Sequence, residues 1–135
     1  MSQYEYSERR QRQRFLAKRS GTTWFSVAFN GNRVPLVDLS LEGFSIASST
    51  PPASDEAFAF ELRLEGIPDK VKGAARQINF VPGEPEGLIG CNFIAFEGEG
   101  AARLHEWLTI HVIASASVRI TAKEAEKIVE GPSLI

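Results

Sequence analysis

Cysteine is nearly absent from this chain: Cys91 stands alone, so no internal disulfide can staple the fold. That usage fits a reducing compartment, and Cys91 reads as a small buried hydrophobe in a strand rather than a reactive thiol. No run of roughly 18 apolar residues is present, which excludes a membrane-spanning helix. The first six residues, Met1 to Tyr6, have no basic stretch followed by an apolar one, so no secretory signal is read and a cytoplasmic location is expected. Histidine is equally scarce. His105 and His111 are six apart, a spacing that does not place two ligands on one helix face, and each reads as a surface or core-edge residue. There is no zinc-ligand spacing, no phosphate-cradling loop and no nucleophile elbow. The expectation is therefore a protein that is not an enzyme and holds no metal or cofactor.

What remains is enough for one domain. The 135 residues are 43% apolar and include nine Phe, ample for a single core without staples. Net charge is −2, but its distribution is uneven. Residues 9 to 19 hold six of the 15 basic groups and no acid, leaving nine basic against 17 acidic groups elsewhere, a remainder of −8. An acidic body with one basic arm is ill suited to tracking a long nucleic-acid backbone, which needs phosphate contacts spread over a face. It suits one compact polyanion better.

After the arm the chain reads as strands. Segments 22–29, 34–40, 44–47, 57–64, 71–80 and 88–96 carry β-branched and aromatic residues and are punctuated by Asn30-Gly31, Pro51-Pro52, Gly66 to Asp69 and Pro82 to Pro85. Six strands at this spacing predict a small antiparallel β-barrel. From Gly100 to Ile113 the period becomes helical, with Ala101, Leu104, Trp107, Leu108 and Val112 on one stripe, and this helix is expected to plug one barrel end. Residues 117–120 read as a short strand or an extended linker. Thr121 to Glu124 is a capping-box pattern that should start a second helix, ended by Gly131-Pro132. Its stripe of Ala122, Ala125, Ile128 and Val129 would dock on its own domain or serve as a dimer or partner interface. The expected organisation is a basic arm (1–20), a barrel with its helix (21–114) and a helical extension (115–135).

Two short motifs stand out. The run Arg9-Arg10-Gln11-Arg12-Gln13-Arg14 contains RxxxR, with three residues between Arg10 and Arg14. Guanidinium forks bind phosphate oxygens bidentately, match the O6/N7 edge of guanine and stack on base planes; an unpartnered solvated tail is the alternative. Phe15 and Leu16 follow at once and should tie the arm to the body. The second motif is DxSxxG, formed by Asp38, Ser40 and Gly43. Strand alternation over 34–41 turns Val37, Leu39 and Leu41 inward and Asp38 and Ser40 together outward. Beyond Gly43 the inward positions become Phe44 and Ile46, a change of parity that requires a turn or bulge, where glycine supplies positive φ or close ligand approach. An ordinary hairpin corner capped by Asp38 would also account for the pattern.

RxxxR followed by DxSxxG ahead of a six-strand pattern resembles the PilZ family of cyclic di-GMP receptors, over roughly residues 8 to 113. Gly90-Cys91-Asn92-Phe93 is similar to that family's last-strand signature. The resemblance implies a six-stranded antiparallel barrel with a C-terminal helix. It implies that Arg10 and Arg14 hold the phosphates and a guanine, that Asp38 accepts guanine N–H groups or orients an arginine, that Ser40 bonds a phosphate or base, and that Gly43 admits the ligand to the backbone. Arg9 would accompany two stacked ligand molecules rather than one, and Arg76 and Asn92 are secondary candidates. It also implies a stand-alone receptor that relays cyclic di-GMP to an unidentified effector protein, in motility, polysaccharide or virulence control, with homodimerisation open. The rivals are a PilZ-like interaction module that binds no nucleotide and a small nucleic-acid-binding barrel, which would want a broader basic face and exposed aromatic platforms.

Overall fold

Alternation of apolar and polar residues drives much of this chain into strands, and a computed structural model describes residues 15–16, 18–19, 22–52, 54, 56–115 and 120–131. Among these residues ten strands precede two helices: β1 (Phe15–Leu16), β2 (Lys18–Arg19), β3 (Thr22–Thr23), β4 (Phe25–Phe29), β5 (Asn32–Pro35), β6 (Asp38–Leu39), β7 (Gly43–Ser48), β8 (Phe58–Leu64), β9 (Lys70–Val81), β10 (Gly87–Phe96), α1 (Gly100–Ser115) and α2 (Ala122–Glu130). Eight form one antiparallel sheet in the order β1-β6-β7-β10-β9-β8-β4-β5, and β2 pairs with β3 separately. Leaving aside the two-residue β1, seven strands make a curled half-barrel. Against the expected six-stranded barrel, the described residues give this seven-stranded curled sheet.

Much of the expected punctuation holds. Asn30 and Gly31 adopt φ of 51° and 80°, the left-handed pair that joins β4 to β5 with the twist a tight hairpin needs. The alternating residues Phe60, Leu62 and Leu64 of β8 are buried while Ala59 and Arg63 are exposed. With Phe25, Val27, Leu39, Phe44, Val71, Ala75, Ile89 and Cys91 they fill the concave side of the sheet. Cys91 is 0% exposed within β10, as a small buried hydrophobe should be.

The segment 34–40 is not one strand. Leu36 and Leu39 are both buried at a spacing of three, which a continuous strand would place on opposite faces. The chain instead turns a corner after Pro35. The amide of Leu36 donates to the carbonyl of Phe25 in β4 at 3.1 Å, and the next amide, Val37, donates to Ser45 in β7 at 2.8 Å. Two residues thus carry the chain from one end of the sheet to the other. The sheet must curl to bring β4 and β7 within that reach.

On α1, Leu104, Trp107, Leu108, His111 and Val112 form the buried stripe, and the helix packs on β9 and α2. Ala101, expected on that stripe, is exposed, and His111 instead extends it, edge-on to Phe25 with ring centroids 5.3 Å apart. Residues 116–119 lie outside the described set; Ile120 packs against the core without joining a strand. The capping box forms as expected: Thr121 Oγ1 accepts from the Glu124 amide, and the Glu124 carboxylate accepts from the Thr121 amide, each at 3.1 Å. Ala125 and Val129, both 0% exposed, dock α2 on its own domain, whereas Ala122 and Ile128 are exposed. Gly131 closes the helix at φ −73°, so its amide bond to Ile128 needs no left-handed backbone.

Candidate functional site

The DxSxxG segment is the corner between β6 and β7. Asp38, half-buried, pairs in register with Ser45 of β7 and with Leu16 of β1, and Phe15 pairs with Leu39. The chain therefore enters the sheet beside this motif, one peptide after Arg14. Arg9, Arg10 and Arg14 themselves lie outside the described residues.

Ser40 departs from expectation. Its side chain is not presented outward with that of Asp38 but is buried, with the residue 1% exposed. The reason is that β6 ends at Leu39, so alternation stops there and turn bonding takes over. The Ser40 hydroxyl accepts from the amides of Glu42 at 3.1 Å and Gly43 at 3.3 Å, and its own amide donates to the Gly43 carbonyl at 2.8 Å. A serine oxygen of this kind substitutes for a backbone acceptor and fixes the turn.

Gly43 is glycine for a reason inside the fold. Its φ is not positive. A Cβ built on it would overlap the carbonyl oxygen of Cys91 and lie 2.9 Å from that carbonyl carbon, because β7 and β10 are pressed together at this point. The close approach is that of a neighbouring strand.

Register then extends the site across the sheet. Gly43 stands opposite Asn92 of β10, which stands opposite Arg76 of β9. Directly opposed residues in antiparallel strands share a face. Asp38, Ser45 and Gly43, then Asn92 and Arg76, thus share the face turned away from Phe44 and the core. Gly43 and Ser45 make a floor without bulk, with Asp38 on one side and exposed Asn92 and Arg76 on the other. Among the described residues the Asn92 and Arg76 side chains make no hydrogen bond. A carboxylate, an amide and a guanidinium offer acceptors for base N–H groups, a donor for base oxygens and a fork for phosphate.

Two polar groupings were not read from the sequence. Glu61 accepts from Arg33 at 2.7 Å and Arg63 at 3.0 Å, with Lys70 Nζ at 3.6 Å. Burial opposes its ionisation, but Lys70, Arg63 and Arg33 outweigh burial and hold its carboxyl below the ordinary range. Glu124 is likewise lowered, first by the backbone amide of Thr121. The signal for the first grouping was there, since Glu61 and Arg63 are two apart and share a strand face. The second grouping, His105 with Glu126 and Glu130, joins two helices and left no local trace. Among the described residues no helix is long and apolar enough to cross a membrane.

No protein-family model matches the sequence, and neither does any curated protein. Solved structures do resemble it. The inhibitor of motility MotI/DgrA of Bacillus subtilis superposes with a TM-score of 0.64 at 14% identity, over 80% of this chain and 53% of that one. An uncharacterized Legionella protein, Lpg0364, gives 0.51 at 14% identity, over 73% of this chain and 91% of its own. This chain thus spans about half the length of the Bacillus protein. The likeness is one of fold, and it fits a PilZ-like architecture at low sequence identity.

Proposed function

We propose that this protein is a PilZ-type receptor that binds cyclic di-GMP without catalysing a reaction and relays the signal to a partner protein. The observation that carries the reading is the pairing of Phe15 with Leu39 and Leu16 with Asp38, which ties the end of the RxxxR segment to the strand bearing Asp38. A ligand held by Arg10 and Arg14 would then lie within reach of Asp38, with Asn92 and Arg76 across the floor. Phosphates would take the arginine forks, and guanine N–H groups the Asp38 carboxylate. Arg9 would decide between one ligand molecule and a stacked pair. The message would pass as a change in the arm's position that an effector protein reads. The motility role in the name of MotI/DgrA makes a motility partner the first to try, and a cytoplasmic location would suit that role.

A second reading has its own observation. Ser40 and Gly43 are both explained by the turn and by β7–β10 contact, so a PilZ-like interaction module without nucleotide would retain them too. Calorimetric titration with cyclic di-GMP, GTP and a short oligonucleotide separates the readings, repeated on Arg14→Ala and Asp38→Ala. Heat with cyclic di-GMP that both substitutions abolish supports the receptor. No heat at micromolar concentrations leaves the interaction module, and heat with the oligonucleotide alone leaves a nucleic-acid-binding barrel.

A further inference from the structure

α2 belongs to the extension that the motifs leave without a role, and one polar grouping joins it to α1. His105 Nε2 of α1 stands 2.6 Å from a Glu130 carboxylate oxygen of α2. One turn earlier on α2, Glu126 brings a second carboxylate, and one donor atom from each of the three residues lies within 4.8 Å of the others. An imidazole and one carboxylate would be an ordinary ion pair. Two carboxylates around one imidazole are not balanced: the group carries −1 if the ring is protonated and −2 if it is neutral. Among the described residues Glu126 has no ion-pair partner. That surplus of negative charge around a nitrogen donor is what a divalent cation neutralises.

The donors are also held by the fold. Glu126 and Glu130 are four apart and project from one face of α2. Ala125 and Val129, fully buried, dock that helix independently of the polar group. The site is open to solvent, with the His105 side chain 30% and the Glu130 side chain 55% exposed, so an ion has a path in and the carboxylates have room to adjust.

From this grouping we infer that His105, Glu126 and Glu130 form a binding site for a divalent transition metal, with zinc the best match, that clips α2 to α1. Calcium and magnesium favour all-oxygen shells, whereas imidazole nitrogen with carboxylate oxygen suits zinc and its neighbours. Zinc bonds of about 2.0–2.2 Å place two donors on a tetrahedral ion about 3.4 Å apart, so the 2.6 Å His105–Glu130 contact would widen by under an ångström to admit the ion, with all three donors already within 4.8 Å of one another. Three protein ligands leave a fourth position for water.

The test is titration of the untagged 135-residue chain with zinc by calorimetry, and with cobalt while recording visible absorption. One zinc per chain is expected, with a higher unfolding temperature in its presence and no comparable response to magnesium. His105→Gln and Glu126→Gln should each weaken zinc binding at least tenfold and abolish the thermal shift, while Glu84→Gln in a distant loop should change neither. Should His105→Gln disturb the fold, Glu126→Gln decides, because glutamine is a good former at an exposed helix position. No saturable zinc binding, or unchanged affinity in natively folded Glu126→Gln, overturns the site.

Discussion

Gly43→Ala should destabilise the protein severely with no ligand present. The added methyl would overlap the Cys91 carbonyl oxygen, and the other nearest atoms, Cys91 C at 2.9 Å and Asn92 Cα at 3.0 Å, are backbone as well. No side chain can swing aside. Relief requires β7 to move away from β10, straining the ladder from Gly43 to Ser48 that pairs Gly87 to Asn92. Overpacking in well-packed interiors costs about 1–3 kcal/mol, and a clash whose nearest atoms are all β10 backbone belongs at the upper end, about 3 kcal/mol. With an unfolding entropy of about 2.1 cal/mol/K per residue, a chain of this length loses about 10 °C of unfolding temperature for that cost. Differential scanning calorimetry of the ligand-free variant measures it. Asn92→Ala, opposite Gly43 but exposed, should stay within about 0.5 kcal/mol of wild type. A ligand-free Gly43→Ala protein melting within 2 °C of wild type would refute the packing argument and return Gly43 to a purely ligand-facing role.

Leu62→Ala, at a fully buried position in the middle of β8, should cost about 2–5 kcal/mol by denaturant titration, with no change in slope. Glu61→Gln should lower stability at pH 7 by at most about 1 kcal/mol, because it leaves three surface cations without their common anion. Since the folded carboxyl is held below its ordinary value of 4.5, this contribution is present above that value and disappears as pH falls through the folded value; wild-type and variant melting curves should converge there. Val129→Asp, which buries a charge between α2 and the body, should release the helix, read as lost amide protection over 122–130 while β8 and β9 remain protected.

The longer strands and the helices α1 and α2 were legible because each rests on a local cause: alternation in Phe60, Leu62 and Leu64, the Asn30-Gly31 turn, the Thr121–Glu124 capping box. The corner at Leu36-Val37 was not, since it is made by bonds to Phe25 and Ser45, which sequence brings no nearer than eight residues. With the corner unseen, alternation carried straight on to Ser40 and put its hydroxyl on the wrong side. The Arg76–Asn92–Gly43 row needed the β9–β10 register, including its shifts at Gly90/Cys91 and Phe93/Ala95, which no local pattern specifies. His105 and Glu130 are 25 apart and meet only because α2 folds back on α1.

The structural work done by Ser40 and Gly43 changes what DxSxxG says about ligand. A chain that stops binding nucleotide still needs a serine oxygen to take the amides of Glu42 and Gly43, and still needs a residue without Cβ against Cys91. Those two positions would persist in either case. At Asp38 the β6–β7 pairing runs through the backbones, so the register itself does not depend on the carboxylate. The same holds for Arg76 and Asn92, exposed positions whose backbone register does not depend on their side chains. Selection for binding can therefore be read at Arg76, Asn92 and the arm arginines, and selection for folding at Ser40 and Gly43, while at Asp38 the melting temperature separates the two. It follows that loss of binding on Asp38→Ala with an unchanged melting temperature argues for a ligand site, whereas loss on Gly43→Ala argues for nothing beyond the packing of β7 on β10.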